Sequence, residues 1–278
     1  MQKNGTVSFV DSVRIHDIVE RQNWPLTESQ KETLCERMMQ RCVYLADAEQ
    51  VELFLKLSES YQWVDLDTCL QKLIQLLEDV VGAYFQKNLA NIFIFPIKKE
   101  QDAPYIKSSD MVAYLTRAVQ VGYSEILMNR TFFILKDLDQ VHAKKEQILE
   151  ERPLLLVDDF IGTGKYTCDV MHELSNRGIS SKQVVICPLF ISEKGLAELR
   201  KRHYQVRYGE VVKSALSELS PRELQLLKQI ETRLDVPAEE QLGYGGSANL
   251  ISLIRTPNNT LPMFYRRRKK NLAPFPRF

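Results

Sequence analysis

Apolar positions recur at threes and fours through the first part of the chain, and then the period changes. From about residue 11 to 86 the helical spacing dominates, with few prolines or glycines. Thr27, followed by Gln30, forms a capping box ahead of SQKETLCERMMQRCVYLA, which predicts a helix from about residue 29. Residues 47–58 predict another. Between 66 and 85, Leu70, Leu73, Ile74, Leu77, Val80, Val81 and Tyr84 line one helix face. That stretch is expected to be a helical lid, a packing extension or an oligomer surface, and no residue in it suggests chemistry.

After Lys87 short apolar runs alternate with helical patterns. NIFIFPI (91–97), TFFIL (131–135), PLLLVDD (153–159) and QVVICPLFI (183–191) read as buried strands. Between and after them, helices are predicted over 109–119, capped by Ser108 or Ser109, and over 164–177, 193–203 and 221–235, the last with Pro221 in its first turn. Strands alternating with helices predict an α/β fold, a largely parallel central sheet flanked by helices, behind an N-terminal helical extension. The expected division is 1–87 for the extension and 88–278 for the α/β domain. From Leu242 the chain is rich in Gly, Asn and Pro and ends near the basic run RRRKK at 266–270.

Composition adds only limits. Apolar residues make up 44% and charged residues 26% of the 278, as in ordinary globular chains. Lys and Arg (37) nearly balance Asp and Glu (36), so only local clusters could attract nucleic acid or membrane. No run approaches the length of a membrane span, and the N-terminus lacks the apolar core of a signal peptide. Cys35, Cys42, Cys69, Cys168 and Cys187 show no CxxC pair and no His at metal-ligand spacing, so reduced, buried thiols in a cytoplasmic protein are expected. No metal-ligand set is expected. His142, His172 and His203 lack such partners and read as structural or exposed.

Chemistry concentrates in LLLVDDFIGTGKYT (154–167). A strand of four apolar residues ends in two carboxylates, Asp158 and Asp159, at the edge where ligands bind in α/β sheets. Then Gly162, Thr163, Gly164 and Lys165 turn the chain into a helix beginning near Tyr166, with Thr167 behind it. Glycines let the backbone approach a ligand, and amides at a helix start favour an anion. The turn can hold a phosphate while the Asp pair reaches hydroxyls beside it. A Walker A loop is excluded, because it would need Gly where Asp159 stands and Ser or Thr where Tyr166 stands.

VDDFIGTGKYT resembles the phosphoribosyl-diphosphate loop of the type I phosphoribosyltransferases. The resemblance implies that Gly162, Thr163, Gly164, Lys165, Tyr166 and Thr167 bind a 5-phosphate and that Asp158 and Asp159 contact ribose hydroxyls and act in catalysis. The family's usual Ser or Thr positions are Gly162 and Tyr166 here, so Thr167 takes over by a shift of one or the grip differs. The DDF-x-G-[ST]-G form is similar to a narrower group, the phosphoribosyltransferase-like proteins of bacterial conflict and anti-phage defence systems. GYGGSANLISLIRTPNNTLPMFY (243–265) and the closing APFPRF are similar to that group's C-terminal signature.

The resemblance further implies a pyrophosphate loop after the first strand, carrying Lys98, Lys99, Lys107, Ser108 and Ser109. Mg²⁺ would arrive with the diphosphate. Tyr244, Gly245 and Gly246 would form a turn over a second substrate that Asn258 and Asn259 read, in a C-terminal covering segment, although TPNNTLP equally makes a tight turn. The basic run that opens at Arg266 and closes at Lys270 is a nucleic-acid contact or a solvated tail. Two readings follow: a transferase acting at ribose C1, as a defence effector, or a catalytically silent module that senses a ribose phosphate. The second would control a partner through the N-terminal helices, and homo-oligomers fit either.

Overall fold

The computed structural model describes residues 7–45, 47–85, 91–150, 153–268 and 272–277. In chain order it runs α1 (Phe9–Arg21), α2 (Glu28–Leu45), α3 (Ala48–Glu59), β1 (Gln62–Trp63), α4 (Leu66–Tyr84), β2 (Asn91–Pro96), α5 (Ser108–Leu115), β3 (Thr131–Ile134), α6 (Leu138–Ala143) and α7 (Lys145–Leu149). It continues with β4 (Leu154–Ile161), α8 (Lys165–Asn176), β5 (Val184–Ser192), α9 (Glu193–Lys201), β6 (Gln205–Val206), β7 (Glu210–Val212), α10 (Pro221–Arg233), β8 (Ile251–Ser252) and α11 (Pro262–Tyr265).

Two compact units divide the chain. One, the sheet unit, is 66–212; the other, the helical unit, joins 1–65 to 213–278. The expected cut at 87 falls outside the described residues, and the observed division is not a single cut. Helix α4 belongs to the sheet unit because its apolar stripe is covered there: Leu70, Leu73, Leu77, Val80 and Val81 are buried, and α4 packs on β5 and α5. Its polar flank is tied down as well, Lys72 to Glu210 at 2.7 Å and Asp79 to Arg207 at 3.6 Å. The stripe is therefore core and not an open oligomer surface.

The sheet unit is an α/β fold. Its strands run β3-β2-β4-β5-β6, with β7 continuing along the same edge of β5, and every pairing is parallel. Ile94 lies between Ile134 and Leu155, and Leu155 is paired in turn with Val185, which sets the register. Helices cover the faces, which is why β5 is buried at every position and reads as an unbroken apolar run. Strand β4 carries on four residues past the predicted apolar stretch, so the Asp pair lies within the strand. Helix α5 stops at Leu115, and a 3-10 turn takes Val119–Tyr123. Its cap is Lys107, whose backbone N–H donates to Asp110 Oδ2 at 2.8 Å, in place of the expected serines.

In the helical unit the last residues pack among the first. Phe275 stacks on Tyr61 at 4.1 Å and meets Trp24 edge-on at 5.3 Å, while Phe264 lies 5.5 Å from Phe54. β8 pairs in parallel with β1, and Phe275 N–H donates to Phe264 O at 2.9 Å. The Pro-Phe-Pro sequence thus anchors an aromatic core that α1–α3 alone could not close. No described helix is long and apolar enough to cross a membrane.

Candidate functional site

Strand β2 ends at Pro96, opposite Val157, and the last rung on that side is Ile97 N–H to Val157 O at 2.9 Å. On the other side β4 stays paired with β5 as far as Ile161. Asp158 and Asp159 therefore sit where one neighbour has stopped, in the crevice at the carboxyl edge of the sheet. Asp159 is buried and Asp158 partly so. Burial, then the neighbouring carboxylate, push Asp158 well above the usual carboxylate range. Asp159 is raised by the same burial, against a hydrogen bond with Ser108. The pair resists holding two negative charges until something supplies hydroxyl donors or positive charge.

Beyond the strand, Gly164 caps α8 with φ +74°, a conformation suited to glycine. The turn is braced from β5 and α9. Ser192 Oγ donates to Gly162 O at 2.5 Å, and Gly195 N–H donates to Ser192 Oγ at 3.0 Å. A Cβ on Gly195 would collide with Gly162 O. The first-turn amides of α8 have no intrahelical partner by geometry, an arrangement that favours an anion, and Lys165 N–H donates to Thr163 Oγ1 at 3.4 Å. Thr167 is buried; Thr163 and the exposed Lys165 line a groove of about 720 Å³ along α8 and α9 that also carries Lys194, Lys201 and Arg202.

The segment after β2 comes to the same place. Besides Ser108 at Asp159, Lys107 lies close enough to lower Asp158's pKa somewhat. Tyr166 departs most from expectation. Its phenol donates to Asp102 Oδ2 and accepts from Lys99 N–H and Lys107 Nζ, each at 3.0 Å. Lys107 Nζ lies 2.8 Å from Asp102 Oδ2 and 4.5 Å above the Tyr166 ring. Burial pushes the Asp102 carboxyl up, but Lys107 and Tyr166 outweigh it and hold it below its usual value. Tyr166 therefore links α8 to the segment after β2 instead of lining the phosphate turn. Lys99 pairs with Asp169 at 2.5 Å, Lys98 with Asp110 at 2.8 Å, and Ser109 Oγ donates to Ile97 O at 3.1 Å.

Asp102, Asp110, Asp169, Ser192 and Gly195 were not singled out in the sequence. Two carried a signal: Asp110, since an acid three residues after a cap is half of a capping box, and Ser192, which directly precedes the helix predicted from residue 193 and caps it. Cys168, next to the turn, is buried with its thiol pushed up by burial, which makes it a packing residue. All five cysteines are free and buried, and His142, His172 and His203 are exposed.

Tyr244, Gly245, Asn258 and Asn259 lie in the helical unit. There they stitch a turn: Asn259 Nδ2 donates to Tyr244 O at 3.1 Å and Ser247 Oγ at 2.9 Å, and Tyr244 N–H donates to Asn258 O at 2.8 Å. Gly245 supplies φ +66°. Asn259's amide is spent on structure; Tyr244 remains partly exposed. In the basic run, Arg266 pairs with Glu240 at 3.2 Å and Arg268 with Asp235. Lys269 and Lys270 lie outside the described residues.

The family model described as PRTase-CE matches residues 47–277. No curated protein matches the chain. Among solved structures, similarity extends to a hypothetical protein from Neisseria gonorrhoeae with bound ppGpp, at 13% identity and TM-score 0.36, covering 55% of this chain and 85% of that one. It extends also to orotate phosphoribosyltransferase from Aeropyrum pernix, at 15% identity and TM-score 0.29, covering 59% and 75%.

Proposed function

The chain belongs to the PRTase-CE family, and from that premise we propose that it binds phosphoribosyl diphosphate, or a related ribose 5-phosphate, and transfers or cleaves at ribose C1. The observation that carries this reading is the Asp158–Asp159 pair at the open edge of β4, followed directly by the glycine turn into α8. In the reaction, the bond from C1 to the pyrophosphate oxygen breaks and pyrophosphate leaves with the electron pair. A nitrogen nucleophile or water then forms the new bond to C1. The protein contributes placement and charge stabilisation. The turn fixes the 5-phosphate, Lys107 and Ser108 lie on the pyrophosphate side, and the ionised Asp pair steadies positive charge developing on the ribose.

Among the described residues no group of three or more acidic, His or Cys side chains gathers as a metal cage. Two adjacent carboxylates suit an Mg²⁺ ion that keeps its waters and is brought by substrate phosphates. Asp158 and Asp159 would hold it, and when bound it would neutralise charge on the leaving pyrophosphate. Because the ligand-free pair is held above the usual carboxylate range, a ligand that favours its ionised form should release protons. Affinity should therefore rise with pH until the pair is fully ionised.

A second reading, a silent nucleotide sensor, draws on a different observation. Lys107 and Lys99 are already paired with Asp102 and Asp169, so the cations a leaving pyrophosphate needs are occupied. In the first reading the protein would serve as an anti-phage defence effector in the cytoplasm; in the second it would control a partner. A protein partner or second copy would meet the N-terminal helices, where Phe9, Val10 and Val13 are exposed. The salt bridges of Arg266 and Arg268 leave a nucleic-acid role little support.

Incubation with phosphoribosyl diphosphate, Mg²⁺ and a pool of bases and nucleotides tests the first reading by release of pyrophosphate, which Asp158→Asn/Asp159→Asn should abolish. Calorimetric binding without release favours the sensor. Absence of any binding overturns both.

A further inference from the structure

The helical unit contains a pocket of about 330 Å³ between α2 and the stretches around 252–256 and 274–276. Its aromatic walls are Trp63 and Phe275, at right angles with ring centres 5.6 Å apart. Its polar groups have a definite sense. Thr256 Oγ1 donates to Phe275 O at 3.3 Å, so Ser252 Oγ, 2.7 Å away, donates to Thr256, and Tyr61 OH, 2.7 Å further on, donates to Ser252. With the donors committed along that relay, what Ser252 and Thr256 still offer is lone pairs, acceptors for N–H groups.

Arg37 supplies the opposite character. It lines the pocket, and its Nε is shut off from solvent with no hydrogen-bond partner among the described residues. No carboxylate lines the pocket. Arg277, next in sequence to the lining residue Pro276, has its Nη1 buried and unpartnered too. Burial lowers its pKa, and nearby Arg255 lowers it further. A buried donor without an acceptor is destabilising, and an acceptor on a ligand would relieve it. An apolar pocket with a few convergent polar groups is the usual form of a small-molecule site.

We propose that this pocket binds a small planar organic anion that carries ring N–H donors, a nucleotide-like ligand. Its ring lies against Trp63 and Phe275, its N–H edge meets Ser252 and Thr256, and its oxyanion meets Arg37. The site lies wholly within the helical unit and uses none of the residues assigned to ribose phosphate in the sheet unit, so it stands or falls separately.

Both tryptophans of the chain, Trp24 and Trp63, lie in the helical unit, and Trp emission of the full chain reports on this pocket. Guanosine 5′-monophosphate, whose base carries a ring N–H beside an amino group, is the probe, with benzoate and inorganic phosphate as arms lacking the N–H edge or the ring. The expected result is saturable quenching by the nucleotide, kept in the Asp158→Asn/Asp159→Asn background and at least about tenfold tighter than either arm. Arg37→Gln should weaken it by about tenfold or more. Thr33→Phe, at an exposed lining position on α2, should block it by filling the pocket, with a far-ultraviolet spectrum unchanged in both variants. No saturable nucleotide binding, binding that Arg37→Gln leaves intact, or phosphate binding as tightly as nucleotide would each overturn the proposal.

Discussion

The two units bury charge of opposite sign. In the sheet unit the uncompensated groups are acids, Asp158 and Asp159, pushed up by burial, while Lys98, Lys99 and Lys107 are each paired with a carboxylate. In the helical unit they are guanidiniums. Arg41 is fully buried, with its pKa pushed down by burial to about 10, one hydrogen bond to Arg266 O at 2.6 Å, and Nε and Nη1 unpartnered. A buried charge left without its opposite destabilises a fold, so each unit keeps a strain that a ligand can relieve, through hydroxyl donors or Mg²⁺ at the acid pair and through an anion at a guanidinium. Stability and ligand binding should therefore move in opposite directions when these groups are changed.

The largest effect is expected at the acid pair. Asp158→Asn/Asp159→Asn should reduce ribose 5-phosphate affinity by about 100-fold or more, because the charge-assisted contacts to the ligand disappear. The same variant should melt several degrees higher at pH 7. The sign follows from the raised pKa values. The wild-type pair is least costly below the unfolded carboxylate value of 3.8, and its penalty grows as pH rises toward the folded values. The melting difference should therefore shrink as pH falls to about 4. A variant that melts lower than wild type at pH 7 breaks the comparison.

Among the described residues the helical unit buries one acid, and it sharpens the rule. Burial pushes Glu231 up to about 7, although both its oxygens accept from Leu242 N–H, at 2.9 and 3.0 Å. Its contribution to stability is largest below 4.5 and is lost as pH rises to about 7. Glu231→Gln should remove up to about 3 kcal/mol of that pH dependence, read from melts between pH 4.5 and 8. Arg41 titrates far above this window, so Arg41→Met should give a pH-independent gain of about 2 kcal/mol in melting. A loss instead would mean that Arg41 already has its counter-charge.

What could be read from the sequence was what is local. The Asp pair, the glycine turn and the helix start lie within about ten residues, so strand period and turn chemistry locate them together. Lys107 and Ser108 entered only through the family resemblance, which implies a pyrophosphate loop after the first strand, and through no local pattern of their own. Asp102 and Asp169 gave no local signal either, since Tyr166 and Lys99, the residues they hold, lie tens of positions away in the chain. The division of the chain was also hidden. Helical period shows that α4 has an apolar face but not which surface covers it, and nothing local says that Phe275 packs beside Trp24. Arg37 and Arg41 look in sequence like any arginines on a polar helix; only packing makes them costly.

Tyr166 is the smallest lever and tests the other half of the comparison, that Lys99 and Lys107 beside the acid pair are spoken for. Its hydroxyl donates to Asp102 and accepts from Lys99 N–H and Lys107 Nζ. Tyr166→Phe keeps the ring under Lys107 and removes only that junction, at about 1 kcal/mol of stability. Lys107 then answers to Asp102 alone and is freer to meet an incoming diphosphate. Pyrophosphate affinity should rise by about two- to fivefold, while ribose 5-phosphate, held by the turn, should bind as before. If both affinities fall together, Tyr166 serves the ribose 5-phosphate site after all, as the sequence-based assignment had it.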